Sequence, residues 1–427
     1  MLLSAGMVCA QNSQEYSVKH LVFPEGCPHQ DKISLAARLV PTQEQLDWQN
    51  LEMTAFLHFG MNTFTGREWG DGKESPSLFA PTDLDAEQWI RTLSQAGFKM
   101  AILTAKHHDG FCLWPTKTTL HSVASSPWKD GKGDVVREVR NACAKYGMKF
   151  GVYLSPWDRN APCYGDSPAY NKFFIAQLTE LLTKYGKVDG IWFDGWWDHD
   201  EDSVPFNWQL PEQYRMIHSL QPACIIGNNH HQTPFEGEDM QMFERDIPGE
   251  NKSGLSGQSI SQLPLETCQT MNGMWGYKIK DQDYKSSKEL IRLLVRTAAK
   301  GANLLLNIGP QPNGELPATA LDRLADMGKW LNGKAGESIY ATVSGNINVG
   351  DSIVTTMGKG KDAPLYIHVL TDKAMPQISL SLEKKPRCAT NLITGSNVKI
   401  RKKGKDMVFF PTEMKDNETD YIIKVEF

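Results

Sequence analysis

A single carboxylate, Asp194, stands in the run VDGIWFDGWW at residues 188–197, with Trp192 before it and Trp196 and Trp197 after it. Aromatic faces beside a lone carboxylate suit a sugar. The rings stack on the apolar faces of a pyranose, and the carboxylate attacks or steadies a cationic anomeric carbon. Ile191, Trp192 and Phe193 have the bulk of a buried strand, so Asp194 falls where that strand stops. Taken alone, WFDG also admits a plainer reading, a helix-to-strand turn whose Asp serves loop geometry.

Unusual polar groups recur where other apolar runs end. His58 closes MTAFLHF at 53–59, and Glu68-Trp69 follows ten residues on. Lys106-His107-His108-Asp109 follows MAILTA at 100–105, and Tyr153 opens the stretch YLSPWD. Asn228-Asn229-His230-His231 follows the apolar residues 224–227, and Glu244-Arg245-Asp246, Glu266 and Trp275-Gly276-Tyr277 come later. In parallel α/β architectures the C-terminal ends of the strands share one mouth. Neutral His, Trp, Tyr and carboxylates meeting there hold a sugar by hydroxyl hydrogen bonds and ring stacking. Plainer readings stand beside this one: His58 and the His107-His108 pair as satisfied structural groups, Asn229-His230-His231 as loop chemistry. A metal reading of the His pairs is weaker, because adjacent residues on a strand point to opposite faces and chelate poorly. No metal and no cofactor is expected.

The elements that must position these groups repeat one pattern: an amphipathic helix, a Gly, then an apolar strand. The helices fall at 85–96, 134–146, 169–185 and 287–300, the glycines at 97, 147, 186 and 301, and the strands at 100–105, 150–154, 190–193 and 303–308. Each Gly suits the left-handed position that ends a helix. Ser167-Pro168 and Ser286-Ser287 read as helix starts. Strands at 53–59 and 224–227 and a helix at 211–220 fill the gaps, and the Gly/Ser-containing stretch 239–266 reads as a long active-site loop. Near-continuously apolar strands alternating with helices predict a parallel sheet with right-handed crossovers. Seven or eight strands predict a (β/α)8-like barrel over residues 30–340, with a doubly wound sheet as the alternative. After residue 340 the helical period gives way to short alternating runs at 352–356, 365–370, 377–382, 398–400, 407–410 and 421–427. These predict a C-terminal antiparallel β-sandwich over 341–427, a packing domain with glycan binding as the other reading.

The chain has 427 residues, 40% hydrophobic and 22% charged, an ordinary globular composition of two-domain size. A net charge of −5 gives no electrostatic case for nucleic acid or an anionic membrane. Eight Cys lie scattered without metal spacing, so neither a zinc site nor a disulfide framework is expected. No apolar run is long enough to span a membrane. Val8-Cys9-Ala10 before Gln11 resembles a small-residue signal-peptidase site, although the preceding apolar stretch is short and lacks Lys or Arg. Residues 1–10 are read as a signal-peptide remnant, with a secreted or periplasmic location expected. Oligomeric state is not legible.

LTAKHHDGFCLW, GVYLSPWD, IWFDGWW, NLLLNIGP and GESIY, in that order, resemble glycoside hydrolase family 29, the α-L-fucosidases, over residues 50–345. The resemblance implies a barrel followed by a β-sandwich and removal of terminal α-linked L-fucose from glycans, with retention of configuration. It implies roles: Asp194 as nucleophile; His58, Glu68, Trp69, His107 and His108 as fucose ligands; Tyr153 and Trp192 beside the nucleophile; Trp275 against the fucose methyl. For the acid/base it points to Glu244 in DMQMFERD, with Glu238, Asp239 and Glu266 as competitors. The Asp-Arg pair common in the family after the fifth strand reads Asn228-Asn229 here. Opposite tuning is expected: imidazole neighbours keep Asp194 ionised, and burial or a nearby negative charge keeps the acid protonated. A catalytically inactive fucose-binding protein and a related retaining α-glycosidase are the alternatives.

Overall fold

The computed structural model describes residues 26–36, 40–195 and 206–427. The Val8-Cys9-Ala10 stretch, Trp196 and Trp197 lie outside the described residues. Eight strands form one parallel sheet: β1 (Met53–Leu57), β2 (Met100–Lys106), β3 (Lys149–Leu154), β4 (Gly190–Phe193), β5 (Ile225–Asn228), β6 (Gln241–Glu244), β7 (Leu265–Thr270) and β8 (Ala302–Ile308). Their order is β5-β4-β3-β2-β1-β8-β7-β6, so the first and last strands pair and the sheet curls into a barrel. The seam falls between β5 and β6, which share no ladder among the described residues. Asp239 stitches it: its N–H donates to the Ile226 carbonyl at 2.8 Å, and its Oδ2 accepts from the Ile226 N–H at 2.8 Å.

The helices are α1 (His29–Ala36), α2 (Gln43–Gln49), α3 (Met61–Thr65), α4 (Ala86–Gln95), α5 (Val135–Lys145), α6 (Ser167–Lys184), α7 (Leu210–Leu220), α8 (Ser287–Ala299) and α9 (Ala318–Leu331). The four expected glycines end α4, α5, α6 and α8 with φ of 94°, 66°, 72° and 70°, a region that a side chain would strain. Ser286 caps α8 in a capping box with Glu289, and Asp166 caps α6 with Ser167-Pro168 just inside.

The stretch 239–266 is not all loop. β6 lies inside it and β7 begins at Leu265. A four-residue strand with Gln and Glu at its ends carries too little period to be seen, and no helix separates β6 from β7 to announce it.

Two apolar clusters hold the barrel. One lies between strands and helices; the other fills the barrel interior with Phe56, Met100, Ile102, Trp192, Met242 and Leu305. The Met methyls occupy the space that glycines leave. A Cβ on Gly227 would stand 2.2 Å from the Met242 methyl. Beyond the barrel, antiparallel sheets β13-β16-β11-β10-β9 and β12-β15-β14 face each other: β9 (Thr342–Ser344), β10 (Ile353–Gly358), β11 (Leu365–Val369), β12 (Ile378–Ser381), β13 (Cys388–Asn391), β14 (Lys399–Lys403), β15 (Asp406–Phe410) and β16 (Tyr421–Glu426). Ile367, Val369, Phe409 and Ile423 form their shared core. All six expected strands are present; β9 and β13 were not expected, both short and with too few apolar residues to show an alternation. The sandwich docks through Arg292 of α8, which donates to the carbonyls of Thr371, Glu418 and Thr419 and pairs with Asp372 at 2.9 Å. The seven described cysteines are free thiols.

Candidate active site

The strand ends meet in a cavity of 420 Å3, within the usual range for small-molecule sites of about 300–1,000 Å3. Ten residues expected there line it: His58, Glu68, Trp69, His107, His108, Tyr153, Trp192, Asp194, Glu244 and Trp275. Phe56, Asn229, Arg245, Leu255 and Met274 complete the wall.

β4 delivers Asp194 at its end, and β6 delivers Glu244 as its last residue. One amide joins them. Asn229, one residue past β5, donates from Nδ2 to Asp194 Oδ1 at 3.1 Å and to Glu244 Oε2 at 2.7 Å. Carboxylates only accept, so the nitrogen is the bridging atom. Two oxygens at those distances from one nitrogen stand within about 6 Å of each other, as two hydrogen bonds on one donor require. Tyr153 donates to Asp194 Oδ2 at 2.8 Å, His108 Nε2 lies 3.4 Å from the same oxygen, and His231 Nε2 lies 3.1 Å from Glu244 Oε2.

His107 and His108 correct an expectation. β2 ends at Lys106 after a register irregularity, so the two imidazoles follow the strand instead of lying on it. Both face the cavity, with ring centres 4.1 Å apart. Ligand-type atoms of His107, His108 and Asp194 lie within 4.8 Å of one another, a set that could hold a metal ion. Two of the three already have protein partners: His108 Nδ1 bonds Ser155 Oγ at 2.6 Å, and Asp194 is held by Tyr153 and Asn229.

Burial drives the histidines neutral, pulling His58 and His108 down to about 3 and His107 well below its ordinary value. Neutral, these three imidazoles bring Asp194 no positive charge; the His231 charge lowers its carboxyl only as a lesser effect, and the expected tuning is reversed. Burial and then the Glu244 charge push Asp194 up to about 6, against the Asn229 and Tyr153 hydrogen bonds. Glu244 is buried too, but its hydrogen bonds from His231 and Asn229 outweigh that and bring it below the usual carboxylate value. The two carboxyls titrate as a pair.

The sugar ligands are fixed from behind. Asn62 Nδ2 lies 3.2 Å from His58 Nδ1, which leaves Nε2 to the cavity. Glu68 Oε1 accepts from the Trp275 N–H at 2.9 Å, while Asn307 donates to the Trp275 carbonyl at 2.7 Å. Burial raises the Glu68 carboxyl. Trp69 stands at the rim, half exposed, edge-on to His108 and Trp157. Arg245 stacks over the Trp275 ring at 5.1 Å and donates to the Gly273 carbonyl.

The other acid candidates do not reach the cavity. Glu238 is buried, accepting from Tyr214, His230 and the Phe235 N–H. Asp239 closes the seam and meets His218 at 2.9 Å. Glu266 lies behind Trp192, fully buried. Asn229 and His231 were in view in the sequence among the polar groups at strand ends, with loop chemistry as the competing reading and no catalytic role given to either; the structure places Asn229 between the two carboxyls and His231 on Glu244.

A model of the family described as "Alpha-L-fucosidase" matches residues 35–336. The chain belongs to that family. Alpha-L-fucosidase 1 of Arabidopsis thaliana is 36% identical over 341 residues, which cover 75% of this chain and 64% of that protein. The chain thus spans less than two thirds of the length of that curated relative. Among solved structures, alpha-L-fucosidase isoenzyme 1 from Paenibacillus thiaminolyticus superposes with a TM-score of 0.76 at 29% identity, covering 90% of this chain and 98% of that one. The Bacteroides thetaiotaomicron α-L-fucosidase shares the fold, with a TM-score of 0.77 at 24% identity and 90% and 95% coverage. The (β/α)8-like barrel with its C-terminal antiparallel sheets is therefore the architecture of α-L-fucosidases. No helix among the described residues is long and apolar enough to cross a membrane.

Proposed function

We propose that this protein hydrolyses terminal α-linked L-fucose from glycans with retention of anomeric configuration, Asp194 acting as nucleophile and Glu244 as acid/base. The observation that carries it is the pair of carboxyls on one Asn229 amide, their bridged oxygens within about 6 Å and with the amide nitrogen standing between them, where an inverting pair, about 6.5–9.5 Å apart, admits a water. The two carboxyls share one proton; with it on Glu244, Asp194 attacks the anomeric carbon as the bond to the leaving oxygen breaks, and Glu244 protonates that oxygen. Glu244 then takes a proton from water, whose oxygen displaces Asp194 and releases L-fucose. The three neutral imidazoles and Glu68 address sugar hydroxyls without placing a competing positive charge beside the nucleophile. Phe56 and Trp275, 6.1 Å apart edge to face, offer an apolar wall for a C6 methyl.

The test is the pair of variants Asp194→Ala and Glu244→Ala on an aryl α-L-fucoside. Asp194→Ala should abolish turnover, and near-normal activity would remove the nucleophile. Glu244→Ala should keep partial activity on a good leaving group and be rescued by azide, with no rescue counting against the acid/base role. A related retaining α-glycosidase is separated by an aryl glycoside panel. A pocket rejects an added hydroxyl only weakly, by about 100-fold, so the preference for fucoside over the O6-bearing analogue should be of that order.

A further inference from the structure

Glu266 is an ionisable group inside the barrel for which the mechanism has no use. It sits on β7 opposite Met242 of β6 and against Trp192 of β4, with no exposure to solvent. Its Oε1 accepts from the Trp192 indole N–H at 2.9 Å, and its Oε2 has no protein partner. An unpartnered buried carboxyl oxygen costs stability, so a merely well-packed interior would carry a Leu or Met here. Burial pushes the group up to about 7, which favours the neutral acid.

Trp192 is the reason to keep it. The indole lines the sugar cavity two residues before Asp194, stacks on the Tyr153 ring at 5.5 Å and leans on Phe56 at 5.3 Å. Tyr153 in turn holds Asp194 Oδ2. A large ring with no hydrogen bond at its nitrogen is free to slide in its plane; one anchored from below is not.

We propose that Glu266 is a positioning residue that fixes the nucleophile through Trp192 and Tyr153, an inference that rests on the fucosidase reading above. The carboxyl sets where the indole lies, the indole backs the phenol, and the phenol aims the carboxylate that attacks. Its contribution is to kcat, with no contact to substrate.

The experiment is a double-mutant cycle on 4-nitrophenyl α-L-fucoside. Glu266→Gln keeps an acceptor oxygen for the indole and should hold kcat/KM within about threefold. Glu266→Met fills the space without an acceptor and should lower kcat by about 10- to 100-fold, the scale of a sub-ångström to ångström misplacement, with KM little changed. In a Trp192→Phe background, which has no N–H to anchor, Glu266→Met should cost less than about twofold. Effects that multiply in the double variant overturn the proposal. So does a Glu266→Gln loss equal to that of Glu266→Met, and so does a Glu266→Met chain that no longer melts cooperatively, because the group would then be structural. Absence of turnover in the unaltered protein would remove the fucosidase reading itself, whereas turnover with a multiplicative cycle would remove only this one.

Discussion

Replacing Asn229 by Ala removes the amide shared by Asp194 and Glu244 while leaving both carboxyls in place. Hydrogen bonds to a charged group contribute about 1.5–3 kcal/mol each. Tyr153 still holds Asp194 at 2.8 Å and His231 still meets Glu244 at 3.1 Å, so the combined loss belongs near the low end. A loss of about 2–3 kcal/mol of transition-state stabilisation corresponds to about 30- to 150-fold in kcat/KM. The pH profile should move as well. Asn229 lowers both carboxyl pKa values, so its removal raises both, and the acid limb shifts to higher pH. The assay is kcat/KM for an aryl α-L-fucoside across pH 4–8, with thermal melting to confirm folding. A fall of less than about threefold with the acid limb unmoved would show that the amide does not govern the pair.

Tyr153→Phe removes one hydrogen bond to Asp194 and keeps the ring that stacks on Trp192, so kcat/KM should drop about tenfold with an unchanged melting temperature. Lys106 is fully buried, paired with Asp158 at 2.9 Å and donating to Gln177 at 3.0 Å. Lys106→Met strands the Asp158 charge and should cost about 3–5 kcal/mol in urea unfolding, with a change under 1 kcal/mol refuting the assignment. Glu266 has its carboxyl raised from 4.5 to about 7, so the folded chain holds a proton that the unfolded chain gives up. This group therefore removes stability as pH rises from about 4.5 to 7, by up to about 3 kcal/mol. Glu266→Gln should be more stable than the unaltered chain at pH 8 relative to pH 4; an equal difference at both values would show that Glu266 does not hold that proton.

The barrel was legible because its signals are long: helices with an apolar stripe, a glycine in the left-handed position, and strands covered on both faces. β6 was not, because Gln241-Met242-Phe243-Glu244 is too short to show a period and no helix follows it. The site was legible through one rule, polar residues just past an apolar run, which placed Asp194, the imidazoles and Tyr153. The same rule covered Asn229, but its role appears only when β4, β5 and β6 bring three separate segments to one point. Glu266 illustrates the opposite limit. Sequence shows an acid near the site; only burial and the Trp192 contact show that it faces inward beneath the cavity. The expected tuning failed for a related reason, since the charge state of an imidazole depends on how much water it keeps.

The seam between β5 and β6 has a consequence for how such a catalyst can change. Asp194 and Glu244 stand near opposite ends of one run of paired strands, at the end of β4 beside the β5 edge and on β6 at the other edge, and their carboxyls meet across the seam by side chains. The connection 245–264 between β6 and β7 can therefore be lengthened, shortened or exchanged as a cassette without unzipping the strands that aim the nucleophile. Glycan selectivity and proton delivery can drift together on one side of the joint while the attacking group stays where it is.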